Sequence, residues 1–202
     1  INGVNYQDSL FRGIEVDGDS VDSDKIQFER ALVNSQISNI LKQAGVDTSS
    51  ITKDCTFTVD PYSYEITVDG VDEETKVLMQ NALNVGNNGK NLYKHIYYCS
   101  TQDGCESSQV TEESKMKYEA YHQVYSYTGY GLDKLEEKNG TYYTESGENI
   151  LDLVDSAVES SGKVPKEFNQ QMKNWIHDLV STISTRGWNN VPDMTLSILY
   201  GK

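Results

Sequence analysis

The chain has 202 residues, and its 31 acidic side chains outnumber the 17 basic ones, which gives a formal net charge of -14. This charge makes binding to bare nucleic acid or to an anionic membrane surface electrostatically unfavourable. No apolar run approaches the roughly 18 residues of a membrane-spanning helix, so we expect neither nucleic-acid binding nor membrane insertion.

The polar N-terminal segment contains a cluster of four acidic residues, Asp17, Asp19, Asp22 and Asp24. Carboxylates on a loop suit calcium, but the calcium-loop template fails where Val21 and Phe28 stand in place of ligands. We therefore interpret residues 17–24 as a solvated loop that ends in a helix cap at Ser23 or Asp24. We expect no metal and no cofactor.

Along the first half of the chain, the spacing of the apolar residues changes from that of a helix to that of a strand. A helix runs to about Ala44, because apolar residues recur at steps of three and four and Gly45 follows. From Cys55 to Val68 the apolar period becomes two, which predicts a β-hairpin that turns at Asp60-Pro61 and includes Tyr62 and Tyr64 in its second strand.

The next predicted elements are helical. Asp72 caps a helix that ends near Gly86, and the corner GNNGKN leads into a second helix over LYKHIYYC. Thr111 begins a third helix, in which Tyr118, Tyr121 and Tyr125 share one side, and we interpret them first as core residues.

The C-terminal half ends in two helices and a strand. Asn139-Gly140 predicts a tight hairpin turn, helices follow over 148–159 and 165–184, and MTLSILY is a closing strand. This non-alternating order predicts an α+β fold, mostly helical with a small antiparallel sheet built from β-hairpins. We expect a single domain over residues 1–202, and we place any subdivision of this domain near residues 100–110.

Residues that could carry chemistry are few. No phosphate-binding glycine loop, dinucleotide fingerprint or nucleophile elbow occurs, and His95, His122 and His177 stand apart in sequence and are interpreted as structural. A disulfide between Cys99 and Cys105 and three independent thiols are equally compatible with the spacing.

Tyrosine is the distinctive residue type, with 14 in the chain. The glycine-flanked run YSYTGYG predicts that Tyr127 and Tyr130 form part of a partially exposed aromatic patch and contribute to binding. These residues lie in the most acidic quarter, 101–150, so we expect a basic or hydroxyl-rich partner there.

Two stretches, FTVDPYSYEITVDG and ALNVGNNGKNLYKHIYY, together resemble a family of uncharacterised bacterial proteins, mainly of Gram-positive lineage, that carry a domain of unknown function. The resemblance covers about residues 30–98 and implies a bacterial origin. It transfers no active site, and from Cys99 onward the predicted fold rests on the residue pattern alone.

We therefore expect a non-enzymatic binding or interaction module with a protein or glycan partner, secreted or at the cell surface in preference to cytoplasmic. Two alternatives stay open: an orphan hydrolase that uses carboxylates assembled in a cleft, and a cytoplasmic regulatory or structural protein. A deep pocket lined by two facing carboxylates, or by a histidine and an acid, favours the hydrolase, and a shallow exposed tyrosine patch favours the binding module.

Overall fold

The computed structural model describes residues 20–51, 54–101 and 109–200. The helices in chain order are α1 (Ser20–Gln43), α2 (Glu73–Leu83), α3 (Asn88–Thr101), α4 (Glu112–Thr128), α5 (Ile150–Ser161) and α6 (Asn169–Arg186). The strands are β1 (Cys55–Val59), β2 (Ile66–Asp69), β3 (Glu136–Lys138), β4 (Thr141–Tyr143) and β5 (Leu196–Tyr200). The prediction of a mostly helical α+β fold with small antiparallel sheets is confirmed.

The contacts divide the chain into two compact units, one of Ile1–Thr111 with Met194–Lys202 and the other of Glu112–Asp193. Because contacts alone do not show whether a unit folds independently, the expected single domain stays a prediction. Asp17, Asp19 and Cys105 lie outside the described residues, so the interpretation of the acidic cluster and the state of Cys105 stay predictions as well.

The first unit contains an antiparallel sheet of three strands in the order β2-β1-β5. β1 lies in the centre, where Phe57 pairs with Val68 of β2 and with Ile198 of β5. Alternate residues of β1 and β5 are buried, as expected of a sheet with one face on a core. Burial raises the pKa of the Cys55 thiol, at the start of β1, to about 11.

The long helix α1 differs from the prediction at its N-terminus and agrees with it at its C-terminus. It begins at Ser20, so Ser23 and Asp24 lie inside the helix and not at the predicted cap position. At the other end, Gly45 has a φ of +75°, and the Val46 amide donates to the Leu41 carbonyl at 2.9 Å. This hydrogen-bonding pattern is a Schellman motif, and it places the end of the helix at the predicted glycine.

Side-chain amides cover both outer edges of the three-stranded sheet. On β2, Asn84 accepts from the Ile66 amide at 2.7 Å and donates to the Ile66 carbonyl at 2.9 Å, while Gln80 accepts from the Val68 amide. On β5, Gln109 pairs in the same two-point manner with the amide and carbonyl of Ser197. The amides of Asn84 and Gln109 thus each take the place of one residue of a neighbouring strand.

The second unit packs α4, α5 and α6 around an apolar core, next to a small hairpin of β3 and β4. The hairpin turns at Asn139 and Gly140, whose φ angles of 53° and 80° are those of a type I′ turn. The hairpin predicted from the Asn-Gly pair is confirmed. Asn149 caps α5 by accepting from the Leu151 amide at 2.9 Å.

The assignment of all three α4 tyrosines to the core is wrong, since of the three only Tyr121 packs against the core of the second unit. The buried residues of α4 are Ser114, Lys117, Ala120 and Val124. Tyr118 and Tyr121 lie beside this stripe and are only partly buried, and Tyr125 is 52% exposed. The core stripe is displaced by one residue, about 100° around the helix, from the tyrosines. Tyr121 and Tyr125 instead stack on each other, with ring centroids 6.0 Å apart.

Lys117 is a buried charge in the second unit, with its side chain 2% exposed. Its ammonium donates to the Val191 carbonyl at 2.8 Å, pairs with Asp193 at 2.7 Å and lies 4.4 Å from the centroid of the Trp188 ring. These three partners compensate a charge that the core alone would strongly disfavour. They also hold the segment that ends the unit against α4.

Candidate functional site

A cavity lies in the first unit, where the turn between β1 and β2 meets the end of α2 and the start of α3. It encloses about 550 Å³ and is lined by Ser63, Tyr64, Glu65, Gln80, Asn81, Asn84, Gly86, Asn87, Gly89 and Lys90. We call this cavity the amide groove, because carboxamide side chains are its commonest polar groups. All of these residues except Gln80 and Asn81 belong to the two stretches of sequence that carry the family resemblance.

One wall is the hairpin turn, which Asp60 organises. Its carboxylate accepts from the backbone amides of Tyr62 and Ser63 at 2.9 and 2.7 Å, and from the Ser63 hydroxyl. Strand β2 begins only at Ile66, so the turn spans six residues, 60–65, and the prediction that Tyr62 and Tyr64 belong to the strand is wrong. The physical reason is this carboxylate, which satisfies backbone amides that a strand would have paired with a neighbour.

Tyr64 has a φ of +62°, in the left-handed region that side chains other than those of Gly, Asn and Asp seldom adopt. Its ring lies against the edge of Tyr93 with a centroid distance of 5.3 Å, and the Lys90 ammonium is 5.8 Å from the ring centroid. Tyr93 is itself fixed in the core, since its hydroxyl donates to the Met194 carbonyl at 2.7 Å. A partly exposed ring is therefore held in one place at the groove wall by a strained backbone and two neighbours.

The opposite wall begins with the first turn of α3, which packs closely on the hairpin turn at Gly89. A Cβ atom at this position would overlap the backbone carbonyl oxygen of Tyr64. Glycine is thus required by close approach and not by its backbone angles. This contact brings Lys90 next to Tyr64.

The amides of the groove divide into two kinds. Gln80 and Asn84 are engaged by the edge of β2. Asn81 and Asn87 are exposed, and their side chains make no hydrogen bond within the described part of the chain. Asn81 and Asn87 together offer donors and acceptors to a ligand, and the single carboxylate, Glu65, is balanced by the single ammonium, Lys90.

The predicted binding residues Tyr127 and Tyr130 lie elsewhere, in the second unit. Tyr127 packs partly against the core, the Lys163 ammonium lies 4.7 Å from its ring centroid, and burial raises its pKa. Tyr130 follows the end of α4 and is 42% exposed. Neither ring is fully buried, and binding through them stays a prediction.

His177 and His95 form side-chain contacts that their sequence neighbours do not reveal, whereas the His122 ring packs on Tyr118 and Tyr121 of its own helix. His177 pairs with Asp155 of α5 at 2.8 Å, and not with the adjacent Asp178, while His95 shares a hydrogen bond with Gln36 of α1. In the described ranges, no three His, Cys, Asp or Glu side chains are grouped in a way that would hold a metal ion.

The sequence contained both halves of the amide groove, but we assigned them to a hairpin and to a helix corner. The missed residues are Tyr64, Lys90, Asn81 and Asn87, which come together only because α3 packs on the turn. The usable signal is the glycine that follows the two adjacent asparagines in GNNGK, since Gly89 is what permits the approach.

Comparison with known proteins places the chain in a family. A family model described as a domain of unknown function, DUF4885, matches residues 2–202, so the chain belongs to this family and the predicted resemblance is confirmed. The uncharacterised protein YbdO of Bacillus subtilis (strain 168) is 30% identical over 197 residues, which are 97% of this chain and 49% of YbdO. The chain therefore spans about half the length of that relative. No solved structure matches it.

Among the described helices, none is both long and apolar enough to cross a lipid bilayer.

Proposed function

We propose that the chain is a non-enzymatic binding module and that the amide groove takes an uncharged, hydroxyl-rich ligand such as a segment of a glycan. The observation that carries this proposal is the composition of the groove: a cavity of about 550 Å³ with exposed amides, one oriented aromatic ring and balanced charges. A glycan ligand accords with a location outside the cell or at its surface.

The ligand class follows from the hydrogen-bonding groups. A sugar hydroxyl both donates and accepts, and a carboxamide such as that of Asn81 or Asn87 meets both needs in one plane. The partly exposed ring of Tyr64 adds an apolar surface of the kind that packs against the C–H groups of a sugar. An anionic ligand would meet Glu65 and the net charge of -14, which disfavour it.

The strain at Tyr64 also supports a ligand-binding role. A left-handed backbone at a residue other than glycine costs about 1 kcal/mol, and Asn or Gly would hold the same turn with less strain. A tyrosine side chain at this position gives an oriented ring in the wall of the groove. Such strain is concentrated at functional sites in proteins.

The two described cavities favour binding over hydrolysis. The amide groove has one carboxylate, Glu65, and the second cavity, in the second unit, has none. A pair of carboxylates facing each other across a cleft, which hydrolysis of a glycoside requires, is not found in either cavity.

The test is calorimetric titration with neutral trisaccharides of glucose, mannose and N-acetylglucosamine, next to an acidic trisaccharide of galacturonic acid. We expect a neutral sugar to bind, and we expect the variants Tyr64→Ala and Asn81→Ala/Asn87→Ala to weaken it by about tenfold each. Tyr64→Phe keeps the ring and should bind as the wild type does. Asn91→Ala, an exposed amide of α3 that does not line the groove, is the matched control.

Two results would count against the proposal. If no neutral sugar of the panel bound at about 10 mM, the weakest affinity that such a site would have, the assignment of the ligand class would be wrong. If binding were unchanged in all groove variants, the ligand would lie elsewhere on the chain. If binding were lost in Tyr130→Ala instead, the site would be the predicted pair Tyr127 and Tyr130. We propose this pair as a second contact surface, because Tyr130 is 42% exposed.

A further inference from the structure

A second cavity, of about 300 Å³, lies in the second unit where the chain passes from α5 into α6. It is lined by Val164, Pro165, Phe168, Gln171, Met172 and Trp175, of which only Gln171 is polar. We call it the apolar groove. It is distinct from the amide groove in position and opposite to it in chemistry.

The apolar groove lies at the N-terminal end of the apolar stripe of α6, and the rest of this stripe helps to build the core. Along α6 the residues Ile176, Leu179 and Ile183 are buried, whereas Met172 and Trp175 are only partly buried and Phe168 is 50% exposed. The stripe thus continues for more than one helical turn beyond the part that α4 and α5 cover. The exposed Phe168 side chain carries apolar area whose burial by a partner would be favourable.

The charge around this groove differs from that of the chain as a whole. Between residues 163 and 175 the sequence has three lysines, Lys163, Lys166 and Lys173, against one acidic residue, Glu167, in a chain with a net charge of -14. Lys173 forms an ion pair with Glu159.

The other two lysines keep their charge available. The Lys163 ammonium donates to the Ser126 carbonyl and lies over the Tyr127 ring, so neither of these partners carries a carboxylate. Lys166 is exposed and lies in sequence between Pro165 and Phe168, which line the groove. The residues that flank the lining of the groove in sequence therefore carry more positive than negative charge, on an otherwise acidic chain.

From this complementarity we infer that the apolar groove binds an acidic peptide segment of a partner protein through one large apolar side chain. An apolar anchor in a pocket supplies the affinity of many peptide interfaces, while the charges at the rim select the partner and speed association. A basic peptide would lose the attraction of Lys163 and Lys166. Its only compensating attraction in this segment would be to the carboxylate of Glu167.

The test uses a fluorescently labelled peptide in which a Leu-Phe pair is flanked on each side by two glutamates. Its controls are the same peptide with lysines in place of the glutamates, and with alanines in place of Leu-Phe. We expect the acidic peptide to bind with a dissociation constant below about 1 mM, and each control to bind at least about tenfold more weakly. Raising the ionic strength should weaken binding of the acidic peptide.

Variants of the chain locate the site. Phe168→Ser removes the exposed ring and Lys166→Glu reverses a flanking charge, and each should weaken the acidic peptide about fivefold or more. Lys134→Glu is the matched control, because Lys134 is 82% exposed and lies in a different loop of the same unit. It makes the same change in net charge and should leave affinity within about twofold of the wild type.

Each of the following outcomes would overturn the inference. One is equal or tighter binding of the lysine peptide. Another is no binding of the acidic peptide at about 1 mM, or equal loss in Lys134→Glu and Lys166→Glu. A third is concentration-dependent dimerisation in ultracentrifugation that Phe168→Ser abolishes, which would assign the groove to a second copy of the chain. Circular dichroism of each variant confirms that it is folded.

Discussion

Gly89 in the first turn of α3 lies directly against the backbone carbonyl of Tyr64, with no room between them for a side chain. This contact joins the two walls of the amide groove and sets the position of Lys90 relative to the tyrosine ring. The groove is therefore a product of helix packing on a turn, and a change at Gly89 should alter both stability and ligand binding.

The first prediction concerns this contact. Gly89→Ala should lower the free energy of unfolding by about 1–3 kcal/mol, because an added methyl must displace a backbone carbonyl and not a flexible side chain. Chemical denaturation measures the change. Asn91→Ala, on an exposed face of the same helix, should have an effect within about 0.5 kcal/mol, and an equal loss in both variants would show that the close approach has no special cost.

The second prediction concerns the edge of β2. Asn84→Ala removes the acceptor of the Ile66 amide and the donor to its carbonyl, and should cost about 1 kcal/mol because water replaces part of the lost bonding. Hydrogen exchange at the Ile66 amide should accelerate. The Val68 amide, which Gln80 protects, is the internal reference. Unchanged exchange at Ile66 would mean that Asn84 does not protect it.

The third prediction concerns Tyr142, which is 1% exposed and whose hydroxyl has no hydrogen-bond partner among the described residues. Because this buried hydroxyl is unsatisfied, Tyr142→Phe should be neutral or stabilising by about 1 kcal/mol. Tyr143→Phe, at the partly exposed neighbour, is the control. A clear loss of stability in Tyr142→Phe would show that the hydroxyl has a partner.

The same variant tests the alkaline behaviour of the fold. Burial and the charge of Glu137 raise the pKa of Tyr142 from 10.0 to about 12. The pKa of Tyr142 is thus higher in the folded state than in the unfolded state. The protein therefore keeps its full stability below pH 10 and loses stability as the pH rises through the folded pKa, because the unfolded state releases the phenol proton more readily. The stability advantage of Tyr142→Phe should therefore grow above pH 10.

The fourth prediction concerns the buried charge of Lys117. Asp193→Ala leaves an ammonium in the core with only the Val191 carbonyl and the Trp188 ring, and should cost about 3 kcal/mol. Adding Lys117→Met removes the uncompensated charge and should recover about 1 kcal/mol or more. Asp133→Ala, whose partner Lys134 is exposed, should change little. A double variant less stable than Asp193→Ala would contradict the argument.

The fifth prediction concerns the cap of α2. Hydrogen bonds from the Thr75 amide and hydroxyl lower the pKa of Asp72 below its ordinary value of 3.8. A lowered folded pKa contributes stability that is present above the unfolded pKa and lost as the pH falls through the folded value. Asp72→Ala should thus be destabilised at neutral pH and approach the wild type in strong acid. Asp72→Asn keeps a capping oxygen and should remove the pH dependence of the cap.

Local signals predicted local structure well. Asp72 and the Asn139-Gly140 pair act within three or four residues, and the elements that they begin or connect lie where the pattern placed them. On α4 the pattern was misleading, because Tyr118, Tyr121 and Tyr125 have the same helical period as the true core stripe. The stripe was hidden because it contains Lys117, whose burial depends on Asp193 and Val191, more than 70 residues away.

The amide groove could not be predicted for a similar reason. Its aromatic ring and its ammonium, Tyr64 and Lys90, belong to different elements, and nothing in the residue spacing shows that α3 packs on the hairpin turn. Gly89 resembled an ordinary corner residue until the position of the Tyr64 carbonyl showed why only glycine fits there.

The amides of Asn84 and Gln109, which terminate the sheet on its two sides, restrict how any partner is recruited. An extended peptide that docks by adding a strand needs a row of open backbone donors and acceptors, and here Ile66 and Ser197 already have theirs occupied. The same occupancy opposes edge-to-edge aggregation of one copy with another. A partner of this sheet must therefore be bound through side chains and not by backbone pairing. We expect a ligand to bind at the loops and grooves around the sheet.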